Sequence, residues 1–424
     1  MTSTPFDPAP ANWQRRLPGL ITRQVRINVP LDHRNPDDER RLEVFARLVS
    51  APDGQDRPYL LFLQGGPGCE SPRPSLAPQV PGWLARALQD FRLVLLDQRG
   101  TGLSSPVSEP IGAAEDQAEY LSHMRADEIV ADCEDLRVHL GIDQWAVLGQ
   151  SFGGFTLLHY LSMHPESLLA SYFTGGLPAV GRGCEDIYEA CYRALAVKSE
   201  QFYRRFPQDR ERMRRLLTLA DEEAIRTPNG DVVSPSRLRS LGHGLGGSAG
   251  AARLHYLLER DPGSRGFRYD LADALPFGGR NPLYTVIHES SYADGVATRW
   301  AAARTLPDEF RTDPTLLTGE HVFPEWFDED SSLRPWKACA YAIAEQNWPK
   351  LYDPDALAQT QVPCAAAIYA NDAYVPMEYS LQTAALIPRM RTWVTSEYEH
   401  DGSIASGGAV LGRLIALAAD DIAR

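Results

Sequence analysis

One short stretch dictates most of what this chain can become. Trp145-Ala-Val-Leu148 is a continuous apolar run of strand length, and Phe155 to Met163 has the pattern of a helix that stops before His164-Pro165. Only Gly149-Gln150-Ser151-Phe152-Gly153-Gly154 lies between them. A buried strand, a sharp turn and a helix folded back on the strand make an α/β arrangement. Glycines at 149 and 153 let the backbone pass close to itself in a strained turn, so the Ser151 hydroxyl can stand exposed above the sheet. The same turn leaves N–H groups at the start of the helix free to face an anion.

Gly-x-Ser-x-Gly in that setting resembles the nucleophile elbow of α/β-hydrolases. The pattern alone occurs by chance in many chains; the strand before it and the helix after it carry the inference. Composition allows such a fold and excludes others. A chain of 424 residues, 43% hydrophobic and 23% charged, can bury a large core and fits one decorated domain or a core plus a smaller unit. The net charge of −14 argues against nucleic acid or an anionic membrane surface as partner. The basic run from Arg210 to Arg215 reads as the solvated face of a helix. Six scattered cysteines with no Cys-x-x-Cys suggest reduced thiols. No basic segment followed by an apolar run opens the chain, and no run of about 18 apolar residues occurs, so no secretory signal or membrane span is expected. Cytoplasmic location is the expectation.

Residues 1 to about 20 read as an irregular arm over the surface. Gln24–Val29 and Leu42–Val49 alternate apolar with polar, as two half-buried antiparallel strands should. Tyr59–Leu63 is a fully buried strand leading into Gln64-Gly65-Gly66-Pro67-Gly68. That loop lacks the Gly-Lys-Ser/Thr ending of a phosphate-binding P-loop. In a serine hydrolase the loop after the third strand gives one oxyanion-hole N–H and the residue after the nucleophile gives the other, here Gly66 and Phe152; the bland alternative is a tight turn. Phe91–Leu96 is the next buried strand, and the Asp97-Gln98-Arg99-Gly100 segment after it reads as a turn locked by charge-assisted hydrogen bonds. A helix is expected over 126–140 and further strands at Ala170–Thr174, Val362–Tyr369 and Thr392–Thr395. The chain should close with a helix from Val410 to Ala423. The stretch 182–345 shows helical patterns, a glycine-rich loop at 242–250 and no clear buried strand. The expected architecture is thus an α/β-hydrolase fold with a mostly parallel central sheet, formed by residues 1–181 and 346–424, and an inserted helical cap at 182–345 lying over the strand ends.

A serine hydroxyl needs a neighbouring base, and the base needs an acceptor that fixes its tautomer. The α/β-hydrolase chain order is Ser, then Asp or Glu, then His. Ser151 is followed by Asp372 at one strand end and His400 in the loop after the next, so these three are the candidate triad. A metal reading is weak, because His288-Glu289 has no second His at metalloprotease spacing.

Five motifs together, Gly65-Gly66-Pro67-Gly68, Asp97-Gln98-Arg99-Gly100-x-Gly102-x-Ser104, Gly149-x-Ser151-x-Gly153-Gly154, Asp372 and Glu399-His400-Asp401-Gly402, resemble those of prolyl aminopeptidases, also called proline iminopeptidases, in their longer bacterial form. The resemblance spans essentially the whole chain. Gln64 departs from the His that many relatives carry before Gly-Gly-Pro-Gly. The resemblance implies release of an N-terminal proline from peptides with a free N-terminus, without cofactor or metal. It also implies acids of the lid that hold the substrate amine, matched here by Glu289 and Glu320, with Glu325 and Asp328 more plausibly solvated. A small apolar ring should sit against aromatics such as Phe152, Tyr292, Trp300 and Phe323. Two other readings remain open from sequence. One is an esterase, or an aminopeptidase releasing larger units; the other is a non-catalytic binding protein on the same scaffold.

Overall fold

The computed structural model describes residues 14–422. Its centre is a nine-stranded sheet of β1 (Gln14–Leu17), β2 (Leu20–Pro30), β3 (Arg41–Ser50), β4 (Tyr59–Leu63), β5 (Arg92–Asp97), β6 (Trp145–Gln150), β7 (Leu168–Thr174), β8 (Cys364–Tyr369) and β9 (Met390–Thr395). Across the sheet the order is β1-β2-β3-β5-β4-β6-β7-β8-β9. The first three strands and the β3–β5 pair run antiparallel; every pairing from β5 through β4 to β9 is parallel. An antiparallel ribbon therefore opens an otherwise parallel sheet.

Alternation along the strands sends side chains to two cores. Leu61, Leu63, Val94, Leu96 and Val147 face one side with α2 (Ala114–Ser122), α3 (Ala126–His139) and α4 (Phe152–Met163). Leu60, Phe62, Leu93, Leu95 and Leu148 face the other, under α1 (Leu84–Asp90) and the C-terminal helix Ala409–Ala418. Because the parallel strands are covered on both faces, they read in sequence as unbroken apolar runs.

Between β7 and β8 the described residues form helices and a single isolated bridge, Arg226 to Val232. These helices pack into two separate clusters. The first half of α5 (Cys184–Arg205) packs into the main core through Ile187, Tyr188 and Tyr192. Its C-terminal half joins α6 (Pro207–Asp221), α7 (Gly250–Leu258) and α8 (Arg265–Ala274) around a separate cluster that includes Phe202, Met213, Leu216, Leu254 and Phe267.

One sequence expectation changes at the N-terminal edge. The expected irregular arm gives way at Gln14, where β1 pairs antiparallel with the start of β2 across a tight Pro18-Gly19 turn; Gly19 has φ +73°. Residues 1–13 of that arm lie outside the described residues. The turn residues beside β5 lock as expected. Asp97 accepts two hydrogen bonds of 2.8 Å from Arg73 and one each from the Ser71 and Leu103 N–H groups. Arg99 is fully buried. It donates to Asp132 at 2.8 Å and to the carbonyls of Leu31, Pro30 and His123, tying the β2 exit to α3.

Candidate active site

Ser151 sits between β6 and α4 with φ +52° and ψ −127°, a conformation that an L-residue holds only when its surroundings impose it. Here they do. The turn is held by Ser151 N–H donating to Thr174 O at 3.2 Å and Gly154 N–H donating to Ser151 O at 2.7 Å. A side chain at Gly153 would collide with the Leu63 carbonyl, so the elbow can close against β4 only with glycine there.

Asp372 follows β8. Its Oδ1 accepts from the N–H groups of Tyr374 (2.9 Å) and Val375 (3.0 Å), which aims Oδ2 at His400 Nδ1, 2.7 Å away. The His400 N–H donates to Gly246 O at 3.0 Å, and the Tyr374 ring meets the imidazole edge-on at 5.0 Å. Burial opposes charge on His400, but Asp372, by its charge and hydrogen bond, and Glu320 together lift its pKa above the ordinary value. Among the described residues no hydrogen bond joins Ser151 Oγ to His400. Both nonetheless border the same Gly175-Gly176 turn. A Cβ on Gly175 would lie 3.1 Å from His400 Nδ1, and one on Gly176 would lie 2.8 Å from Ser151 O. Catalytic hydrogen bonds commonly tighten only when substrate is bound.

The Gly65-Gly66 loop lies against Ser151: a Cβ on Gly65 would come within 3.1 Å of Ser151 Cβ. Gln98 Nε2 donates to Gln64 O at 2.9 Å and fixes the loop from below. The N–H groups of Gly66 and Phe152 have no acceptor among the described residues, so both are free to bind an anion.

Glu320 and Glu289, expected to share one task, lie in different settings. Glu320 accepts from Tyr284 OH at 2.8 Å and has Tyr292 OH at 3.5 Å and His243 Nε2 at 3.7 Å. Burial alone would raise its pKa. The approach of His243 and the positive potential of His288, His243 and His400 prevail and bring it down to about 2. It is a half-buried carboxylate whose low pKa favours the charged form, within the electrostatic reach of the His400 imidazole. The carboxylate of Glu289, in contrast, caps the one-turn helix Ala301–Arg304, accepting from Ala302 N–H at 2.9 Å and Ala301 N–H at 3.2 Å. Burial dominates there and pushes its pKa up to about 7.

Tyr292 stands between Phe155 (6.0 Å) and Tyr188 (5.3 Å), and Phe155 meets Phe152 at 6.4 Å, so these rings are continuous with the elbow. The aromatic wall expected of Trp300 is not on this side: its ring packs on Phe327 and Tyr341. Phe323 packs on Trp326. Glu325 is hydrogen-bonded to Ser236 and Asp328 to Lys337, both on the surface. Sequence reasoning missed His243, Tyr284 and Tyr374. Only the first carried a signal, a histidine inside the glycine-rich loop at 242–250. Among the described residues one group has metal-ligand types in reach of each other, Asp32, His123 and Glu128. It lies apart from the elbow, and Arg34 and Arg99 already approach Glu128 at 3.3 and 3.5 Å.

The parallel sheet, the serine at the elbow and the Asp–His pair at successive strand ends define an α/β-hydrolase, and residues 58–237 match the family model described as the alpha/beta hydrolase fold. A proline iminopeptidase of Aeromonas sobria is 42% identical over 424 residues, covering 95% of this chain and 98% of that one. A proline iminopeptidase of Aspergillus aculeatus is 31% identical over 430 residues, covering 95% and 94%. The chain belongs to the proline iminopeptidase family. Among solved structures, a proline iminopeptidase of Mycobacterium smegmatis aligns at 15% identity with a TM-score of 0.46, over 94% of this chain and 100% of that one.

Proposed function

We propose that this enzyme releases proline from the N-terminus of peptides by acyl transfer through Ser151. The observation that carries the reading is Glu320, an anion held beside His400 in a pocket of tyrosines, where a prolyl ammonium can be received while its carbonyl faces the elbow. His400 takes the Ser151 proton as Oγ attacks the carbonyl carbon, and Asp372 steadies the imidazolium. The oxyanion is received by the Gly66 and Phe152 N–H groups, a pairing in which one donor is typically worth about 2.7–4 kcal/mol. Collapse expels the downstream amine, which takes its proton from His400. Water, activated by the same imidazole, then hydrolyses the prolyl ester and frees Ser151.

Tyr292 and Phe152 offer the proline ring an apolar wall, and the helices inserted between β7 and β8 act as a cap that excludes water. Glu289 supports the pocket as the second lid acid by holding the segment after Tyr292 in place. All six cysteines are free and five are buried, which suits a reducing compartment, the cytoplasm; among the described residues no helix is long and apolar enough to cross a membrane.

The test compares proline p-nitroanilide, its N-acetyl derivative and alanine p-nitroanilide. The expected result is turnover of the free-amine proline compound alone. Cleavage of the acetylated compound at a similar rate would replace this reading with that of a general esterase or amidase.

A further inference from the structure

A cavity adjoins the site, and the catalytic reading gives it no task. It encloses about 520 Å³ between α7, α8 and the glycine-rich segment 242–250. That volume falls within the usual range of ligand pockets. His243, Gly244, Gly247 and Asp401 line its active-site side, and Arg253 and Arg260 also line it. We propose that this cavity is the subsite for the peptide downstream of the scissile bond, and that Arg253 receives the terminal carboxylate of short peptide substrates. The proposal rests on the proline iminopeptidase reading above.

Chain direction supports it. The departing amine takes its proton from His400, so the downstream chain must begin beside that imidazole. Asp401 follows His400 in sequence, and the 242–250 segment touches His400 through the Gly246 carbonyl. His243 borders both spaces, with Nε2 3.7 Å from the Glu320 carboxylate while its ring also lines the cavity. The amine at Glu320 and the downstream residues therefore lie on opposite sides of His243. A Cβ on Gly244 would meet open space, so the floor there is bare backbone along which an extended peptide can lie.

Charge selects the carboxylate. Asp401 is engaged by the Ser248 N–H and hydroxyl, and Arg260 is paired with Asp270 at 2.6 Å. Arg253, on α7, is exposed and is the lining cation without an ion-pair partner among the described residues. Asp273 is a further acid on the lining, so the attraction for a carboxylate is local to Arg253 rather than a property of the whole cavity.

The experiment measures kcat/KM for peptides of proline followed by one to three alanines, each as the free acid and as the C-terminal amide. In the native enzyme one length should favour the acid by about fivefold, the upper range for an exposed ion pair. In Arg253→Ala the acid-to-amide ratio should fall to about one, and Arg253→Lys should restore part of it. Both substrates are read on the same preparation, so the ratio does not depend on how much of the variant folds. An enzyme that cleaves proline p-nitroanilide but treats acids and amides alike at every length overturns the subsite alone. An acid preference that survives Arg253→Ala overturns the role of Arg253. Failure to cleave proline p-nitroanilide overturns the proline reading and the subsite with it.

Discussion

Replacing Glu289 by Gln isolates the energetic consequence of burying this acid. Its carboxyl has a folded pKa of about 7 against an ordinary value of 4.5, because burial outweighs the N–H groups of Ala301 and Ala302 that favour the anion. A folded pKa above the unfolded one means that the contribution is fully present below pH 4.5 and is lost as pH rises through 7. The difference of about 2.5 pH units, at about 1.36 kcal/mol per unit, comes to roughly 3 kcal/mol. Gln cannot ionise, so the variant lacks this dependence. It keeps one acceptor, facing Ala302 N–H, but sets an amide NH2 against Ala301 N–H, a pH-independent loss of about 1 kcal/mol. Glu289→Gln should therefore be less stable than the native chain by about 1 kcal/mol at pH 4.5 and more stable by about 2 kcal/mol at pH 8. Urea unfolding of both proteins from pH 4.5 to 8 measures the crossing. Stability curves that stay parallel over that range would refute the argument, because they would mean that Glu289 ionises as freely in the folded chain as in the unfolded one.

Three other substitutions test separate parts of the molecule. Glu320→Gln should lower kcat/KM for proline p-nitroanilide by roughly ten- to a hundredfold, the scale of a lost charged hydrogen bond. It should also move the acid limb of the remaining activity to lower pH, since Glu320 helps to raise the pKa of His400; an unmoved limb would mean that the two charges do not interact. Gly175→Ala places a Cβ 3.1 Å from His400 Nδ1 at φ +52°, so kcat should fall roughly ten- to a hundredfold with KM little changed, and steady-state kinetics showing native kcat would remove Gly175 from the argument. Arg99→Ala removes the buried guanidinium from Asp132 and Glu128 and should cost about 3–5 kcal/mol in urea unfolding; a loss below about 1 kcal/mol would show that His33 and Arg34, which also contact these acids, suffice to hold them.

Local pattern carried the sheet and the elbow into the sequence, and long-range packing hid the pocket. Continuous apolar runs at 59–63, 91–96 and 145–148 correspond to β4, β5 and β6, because parallel strands must be apolar on both faces. Ser151, Asp372 and His400 stood out because each terminates a recognisable strand or lies in the loop just after one. The ribbon at Gln14–Leu17 was missed because a Pro-rich lead-in masked the Pro18-Gly19 turn signal. His243 and Tyr284 come from different segments of the inserted region and meet at Glu320 only through tertiary packing, which no period or spacing encodes. Trp300 was read as a pocket wall on aromatic character alone, and that character served equally well for packing on Phe327 and Tyr341.

Glu289 and Glu320 show how burial alone fails to set a role. Both are largely removed from water, and desolvation is the first influence on each. Glu289 meets that penalty with N–H dipoles of a one-turn helix, which are too weak to keep it fully charged at neutral pH. Glu320 meets it with Tyr284 and the imidazoles of His243, His288 and His400, which hold it as an anion far below neutrality. An arriving prolyl ammonium gains most from a charge that already exists and needs no proton to be lost first. The same ammonium also offsets the potential with which Glu320 raises the pKa of His400, so substrate binding itself moves the imidazole toward the neutral form that can accept the Ser151 proton. In the proposed reaction, recognition of the amine and readiness of the base thus meet at one carboxylate, and an N-blocked substrate would lose both at once.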